Sequence, residues 1–205
     1  MNIQLPAKEL TLAIKICLKV APKNDVRYFL NGVHFDCSED HIHLVATDGH
    51  RLVWLKFGYA VGDQGGVDVP STFVLRRHDL EVILKAMGTT KGLNEPITIN
   101  VKDDGEYSAT DGDLGISGKI IDGKYPDWRK IAHGDWSDHG AETPEDGIGI
   151  QARYLADAMN IVSMAGQTHS GVSMKFKGEL DPIYIEVYDK LTFMDAGMVI
   201  SPMKK

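Results

Sequence analysis

Apolar residues recur along this chain with two periods that take turns. Ile3-Gln4-Leu5 alternates as a strand does and is closed by Pro6. Over residues 7–21 the period becomes helical, with Leu10, Ile14, Cys17, Leu18 and Ala21 on one side, until Pro22 stops it. Three strand-like stretches follow at 26–37, His41–Thr47 and 51–59, the last two joined by the turn Thr47-Asp48-Gly49. The predicted order is β-α-β-β-β.

That order returns twice, the mark of an internal repeat. A strand at 67–69 ends at Pro70, and a helix over 77–87 carries Leu80, Ile83, Leu84 and Met87 on one face before Gly88. Strands are predicted at 97–101, 106–110 and 114–121. The third copy opens with a strand at 148–150 and a helix over 152–165 stopped by Gly166. Its strands are predicted at 172–176, 183–188 and 191–200. Residues 133–147 show no period and are rich in Gly and Asp, as a linker is. The expected fold class is α+β: three β-α-β-β-β units with antiparallel sheets.

Composition narrows the setting. The hydrophobic fraction of 43% and charged fraction of 25% are those of a globular protein, and no apolar run approaches the roughly 20 residues that span a bilayer. The first residues lack the basic start and long apolar stretch of a secretory signal. Cys17 and Cys37 sit among apolar neighbours and read as buried thiols of a reducing compartment. A cytoplasmic location and no membrane partner are expected.

The formal charge of −7 argues against wrapping on nucleic acid unless the cations are segregated, because affinity there comes from cations displacing counterions. They are segregated. Lys8, Lys15 and Lys19 share one stripe of the first helix, Arg77 and Lys85 lie opposite the apolar face of the second, and Arg153 is on the third. A solvated helix face explains any one stripe. Helices repeated in one orientation make a lining that meets phosphates without reading bases.

Four motifs in order carry a resemblance: Asp25-Val26-Arg27-Tyr28-Phe29-Leu30-Asn31-Gly32, Ala46-Thr47-Asp48-Gly49-His50-Arg51-Leu52, Asp122-Gly123-Lys124-Tyr125-Pro126-Asp127-Trp128-Arg129-Lys130 and Val199-Ile200-Ser201-Pro202-Met203-Lys204. They resemble the bacterial sliding clamp, the β subunit of DNA polymerase III. The resemblance implies a DNA-clamp fold, with helices lining a ring and sheets outside, and no catalysis or cofactor. Residues 1–132 resemble the family's middle domain, 133–146 a linker, and 147–205 the second half of its last domain. It implies as partners duplex DNA, a DNA polymerase and other clamp-binding peptides, and a clamp loader.

The family's peptide-binding pocket maps onto Arg27, Leu30, Thr47, Gly49, His50, Arg51, Leu52, Pro126, Lys130, Ile131, Val199, Pro202 and Met203, with Arg27, His50 and Arg51 as the expected hydrogen-bond donors. Ser201 and Lys205 are polar where the family pattern is apolar. The resemblance also places Asn24, Tyr28 and Phe29 against DNA. A family chain has six units and two chains close a ring of twelve, whereas three units are read here. That implies a compact version, of the kind a phage or plasmid carries.

Counting units predicts the assembly. Residues 133–147 are too short and polar to give unit three a partner in its own chain. Its face of Leu155, Ala158 and Val162 and its sheet edges are therefore expected to lie open and to drive association. Unit three against unit three gives a dimer, and two dimers give a tetramer of twelve units. The rival assembly docks unit three on unit one of the next chain, in a head-to-tail ring of another number. Two other readings compete: a decoy or modulator of a host clamp that does not encircle DNA, and a metal-dependent hydrolase built on His41, His43 and His50. Asp111-Gly112-Asp113 and Asp103-Asp104-Gly105-Glu106 lack the frame of a calcium loop and read as turns.

Overall fold

The first strand of each of the first two units leaves its own unit and pairs with the other. The structure, a computed structural model, describes residues 1–38, 41–58, 60–61, 71–87, 95–132, 148–165, 171–176, 178, 181–187 and 195–203. Unit one comprises β1 (Asn2–Leu5), α1 (Ala7–Val20), β2 (Gly32–Cys37), β3 (His41–Thr47) and β4 (Arg51–Gly58), followed by the short β5 (Ala60–Val61). Unit two comprises β6 (Ser71–Arg76), α2 (Arg77–Met87), β7 (Ile97–Val101), β8 (Glu106–Thr110) and β9 (Gly115–Lys119), then α3 (Trp128–Ala132). Unit three holds α4 (Ala152–Ala165), β10 (Val172–Lys175), β11 (Ile183–Val187) and β12 (Asp195–Ile200).

Two antiparallel sheets result, ordered β5-β1-β7-β8-β9 and β10-β11-β12-β4-β3-β2-β6. β1 lies on β7, with Asn2 opposite Asn100 and Leu5 opposite Ile97. β6 returns the exchange on β2, with Gly32 opposite Arg76 and Cys37 opposite Ser71. A Cβ at Gly32 would stand 2.2 Å from the Leu75 carbonyl oxygen, so the close approach of these strands requires glycine there.

α1 begins at Pro6, whose carbonyl accepts from the Leu10 amide at 2.9 Å, and Pro22 prevents its continuation beyond Ala21. Leu10, Ala13, Ile14 and Cys17 face inward at helical spacing, while Lys8, Lys15 and Lys19 face water. α1, α2 and α4 share one core with Ile3 and Ile99 of the first sheet and Phe35, Leu44, Leu55 and Ile185 of the second. The other face of the seven-stranded sheet is also covered: Tyr125, Trp128 and Ala132 pack on Val45, Trp54 and Val199. β2 and β3 are consequently buried on both sides, which is why they read as apolar runs.

Several expectations change. Tyr28–Leu30 forms a 3₁₀ turn rather than strand, and β2 begins only at Gly32, because Arg27 and Asn31 are drawn into side-chain bonds with Asp25. The strand expected at 67–69 falls outside the described residues; β6, directly after Pro70, is the strand exchanged with unit one. Residues 148–150 are not a strand, and the linker at 133–146 and Lys205 lie outside the described residues. α3 and β5 have no counterpart in the sequence reading.

The largest correction concerns unit three, which does have a partner in its own chain. β12 pairs with β4 over six positions, from Asp195 opposite Lys56 to Ile200 opposite Arg51, and α4 packs on α1. Ala158 and Val162, expected in water, are buried in the main core, and Leu155 is half-buried. Leu52 opposite Val199 and Val53 opposite Met198 supply apolar pairs on both faces of this junction.

Candidate functional site

The junction of β4 and β12 floors a groove. Leu30, Leu52 and Val199 form its base and are almost fully buried. Pro126 and Ile131 of the segment around α3 make one wall, and Pro182, just before β11, closes the other side. Phe29 and Thr47 complete a cavity of about 300 Å³, with Arg27, Gly49, His50, Arg51 and Ser201 at its rim.

The rim is set by one tight turn. Asp48 Oδ1 accepts from the His50 and Arg51 amides at 2.9 and 3.0 Å, and Thr47 Oγ1 accepts from the Gly49 amide at 3.0 Å. Gly49 has φ of 86°, and a Cβ there would meet the Arg27 guanidinium at 2.5 Å. Arg27 is held by Asp25 at 2.7 Å and by the Asp48 carbonyl at 2.9 Å. The Arg27 guanidinium bonded to it lowers the Asp25 carboxyl to about 2.

A second lobe of about 330 Å³ shares His50 and Ser201 with the first and adds Gln151, Arg153, Tyr154, Pro202 and Met203. The chain end is pinned there: Ser201 donates its amide to the His50 carbonyl, and Met203 donates to Gly149, both at 2.8 Å. The Tyr154 ring has the Arg51 guanidinium 4.6 Å from its centre and that of Arg153 at 4.8 Å.

The structure therefore brings Arg27, Leu30, Thr47, Gly49, His50, Arg51, Leu52, Pro126, Ile131 and Val199 around one cavity, and Pro202 and Met203 around its neighbour. Lys130 stands apart, 82% exposed and paired with Asp127 at 3.2 Å. Arg51, expected as a donor to a ligand, is only 9% exposed: it bonds Asp48, Asp157 and the Lys19 carbonyl. Phe29, expected against DNA, lines the groove. Sequence reasoning missed Pro182, Gln151 and Tyr154; the packing of the Arg51 guanidinium over the Tyr154 ring depends on a contact of unit three with unit one that no local pattern announces.

On the helices, Lys8, Lys15, Lys19 and Lys85 are exposed. Arg77 is not placed as they are. Its Nη1 donates to the Leu18 and Ala21 carbonyls at 2.7 and 2.6 Å and its Nε to Glu81 at 3.0 Å, so it ties α2 to the end of α1. Arg153 turns toward Gln151 and the Tyr154 hydroxyl. Asn24 and the exposed Tyr28 border a further cavity of about 580 Å³ with Lys23, Arg76 and His78.

His43 is buried beside Trp54 and Trp128, and His34 stacks on Tyr125 at 4.5 Å. Burial pushes both imidazoles down to about 4. Asp36 beneath them accepts from Trp128 Nε1 at 2.8 Å and from Arg129. Among the described residues no three His, Cys, Asp or Glu side chains come together as metal ligands. No described helix is long and apolar enough to cross a membrane.

Known proteins share this fold. A family model described as "DNA polymerase III beta subunit, central domain" matches residues 4–127. The "Beta sliding clamp" of Escherichia coli K12 is 30% identical over 107 residues, which cover 52% of this chain and 27% of that protein. The protein of the same name in Pseudomonas aeruginosa is 29% identical over 118 residues, covering 53% and 28%. Among solved structures, a DNA polymerase sliding clamp from Pseudomonas aeruginosa superposes with a TM-score of 0.78 at 19% identity, over 100% of this chain and 66% of that one. The DNA polymerase III beta subunit of Thermotoga maritima superposes at 0.76 with 15% identity, over 100% and 66%. The matched region thus spans about a quarter of the curated relatives, and the fold about two thirds of the solved chains.

Proposed function

This chain belongs to the DNA polymerase III beta-subunit family, the bacterial sliding clamps, and from that premise we propose that it acts without catalysis, as a clamp that encircles duplex DNA and tethers a polymerase. The groove carries the reading. Its base of Leu30, Leu52 and Val199 is apolar and preformed, and Arg27 and His50 stand at its rim with exposed polar atoms. Such a site suits a short peptide that buries one or two apolar side chains and leaves its backbone at the polar rim. The occupants proposed are peptides of a DNA polymerase and of other clamp-binding proteins, the clamp loader included.

Lys8, Lys15, Lys19 and Lys85 are the cations proposed to face the phosphates, as exposed side chains on two adjacent helices. A ring of four copies supplies twelve units. β9, the last strand of unit two, ends its sheet among the described residues, as β4 would without β12, and is the proposed seam between dimers.

Loading onto nicked circular DNA tests this reading. Protein should remain on the circle at moderate salt and leave when the circle is cut. Equal loss from circular and linear DNA, with peptide binding intact, would favour a modulator of another clamp that does not encircle DNA.

A further inference from the structure

Every set of three consecutive strands in this molecule has two edges, and the structure treats them by rule. The first strand of the set receives the leading strand of a neighbouring unit: β6 lies on β2, and β1 on β7. α1 and α2 pack together beneath that exchange. Unit three follows the rule by half. Its leading segment, 148–150, is not a strand and pairs with no sheet, and among the described residues no strand lies on the outer edge of β10. Donor and acceptor are both present in unit three, and among the described residues neither the segment nor the outer edge of β10 is paired with a strand.

We infer that two copies of the chain complete each other at unit three: residues 148–150 of each lie antiparallel on β10 of the other, with the outer flanks of the two α4 helices in contact. The template is the exchange between units one and two inside this same chain. A single copy cannot do this for itself, because its own 148–150 is held at the far end of its sheet, where the Gly149 carbonyl accepts from Met203. The surfaces concerned are apolar. Val172 and Met174 on β10 are half-buried, and Met159 on the outer flank of α4 and Phe176 after β10 are 38% and 37% exposed. An open edge bordered by exposed apolar side chains is a template for strand addition, and an isologous pair closes it without leaving a new edge. The dimer follows from the sheet topology; only its place in a ring of four rests on the proposed clamp function.

Native mass spectrometry at micromolar concentration should show the dimer of about 45 kDa, twice the chain's 22.6 kDa, or about 90 kDa where two dimers have closed the proposed ring of four. Cross-linking locates the seam. Gly149 has room for a side chain, its nearest neighbours being at 3.6 and 3.7 Å, and the native Cys17 and Cys37 are buried. Mixing Gly149→Cys protein with Ser173→Cys or Met174→Cys protein under mild oxidation should give a covalent dimer. Gly149→Cys mixed with Ser117→Cys on β9 should give none. Met159→Lys should open this seam and halve the mass of the particle, with the fold of each copy unchanged, since the side chain is exposed. A monomer at micromolar concentration, or a dimer that cross-links through Ser117 alone, overturns the inference. A dimer that cross-links as expected but is not retained on circular DNA leaves the interface standing and removes the clamp function.

Discussion

Arg51 and Asp157, 106 positions apart, meet at 2.5 Å under the rim of the groove, where Arg51 Nη1 donates to Asp157 Oδ2. Arg51 belongs to β4 and Asp157 to α4, so this bond joins unit one to unit three beside the β4–β12 pairing. The arginine is 9% exposed and the aspartate 32%.

Asp157→Ala should therefore loosen the junction. Arg51 keeps Asp48 and the Lys19 carbonyl, so the loss is that of one charge-assisted bond, about 1.5–3 kcal/mol. Urea denaturation measures it. If peptide affinity is set by the junction, it should fall in the same variant, whereas Asp127→Ala, which removes the exposed Lys130 pair, should leave both unchanged.

The groove predicts a second pair of variants. Ile131 and Met203 are 42% and 50% exposed, so truncation should not unfold the protein. With a micromolar peptide, Ile131→Ala or Met203→Ala should each weaken binding roughly tenfold, equivalent to about 1.4 kcal/mol. Fluorescence anisotropy with a labelled polymerase-tail peptide reads this directly. Unchanged affinity in both variants would move the peptide site elsewhere.

Two basic positions should part company. Lys15→Glu with Lys19→Glu should lower retention on circular DNA and flatten its salt dependence, with the melting temperature nearly unchanged, because both side chains are exposed. Arg77→Ala should act mainly on stability. It removes the donors to the Leu18 and Ala21 carbonyls at the end of α1, a cost of about 1–3 kcal/mol. Equal effects of the two variants on salt dependence would return Arg77 to the DNA-facing set.

These cases show what the sequence displayed and what it hid. Period and breakers marked α1, α2 and α4, because each buries one stripe and stops at proline or glycine signals. The motifs carrying Leu30, Leu52, Pro126 and Val199 marked the groove. Unit three's partner stayed hidden, because nothing local in 195–200 says which strand edge it will meet; that edge was β4. The exchange of β1 and β6 was hidden for the same reason. Arg51 and Arg77 looked like surface cations until tertiary structure turned them onto Asp157 and the α1 carbonyls.

Acid should unfold this protein in a defined window. His34 and His43 are buried on the outer face of the seven-stranded sheet under Tyr125 and Trp128, and burial moves each from the usual 6.5 to about 4. The charges facing them differ. Asp36 favours protonation of both, whereas Arg129 opposes protonation of both, and His41 and Lys56 oppose that of His43. Because the folded values lie below the unfolded one, the unfolded chain binds more protons between pH 6.5 and about 4. The stabilisation of the neutral imidazoles is thus fully present above pH 6.5 and is lost as pH falls toward 4. The loss across that window is on the order of 3 kcal/mol for each histidine. Below that window the Asp36 carboxylate, held under its usual 3.8 by Arg129 and Trp128 against the cost of burial, adds its own loss. The melting temperature should be flat from pH 8 to 7 and fall steeply from pH 6 to 4.5. His34→Gln, which keeps a polar side chain but no titration, should roughly halve that slope; an unchanged slope would place the acid sensitivity elsewhere.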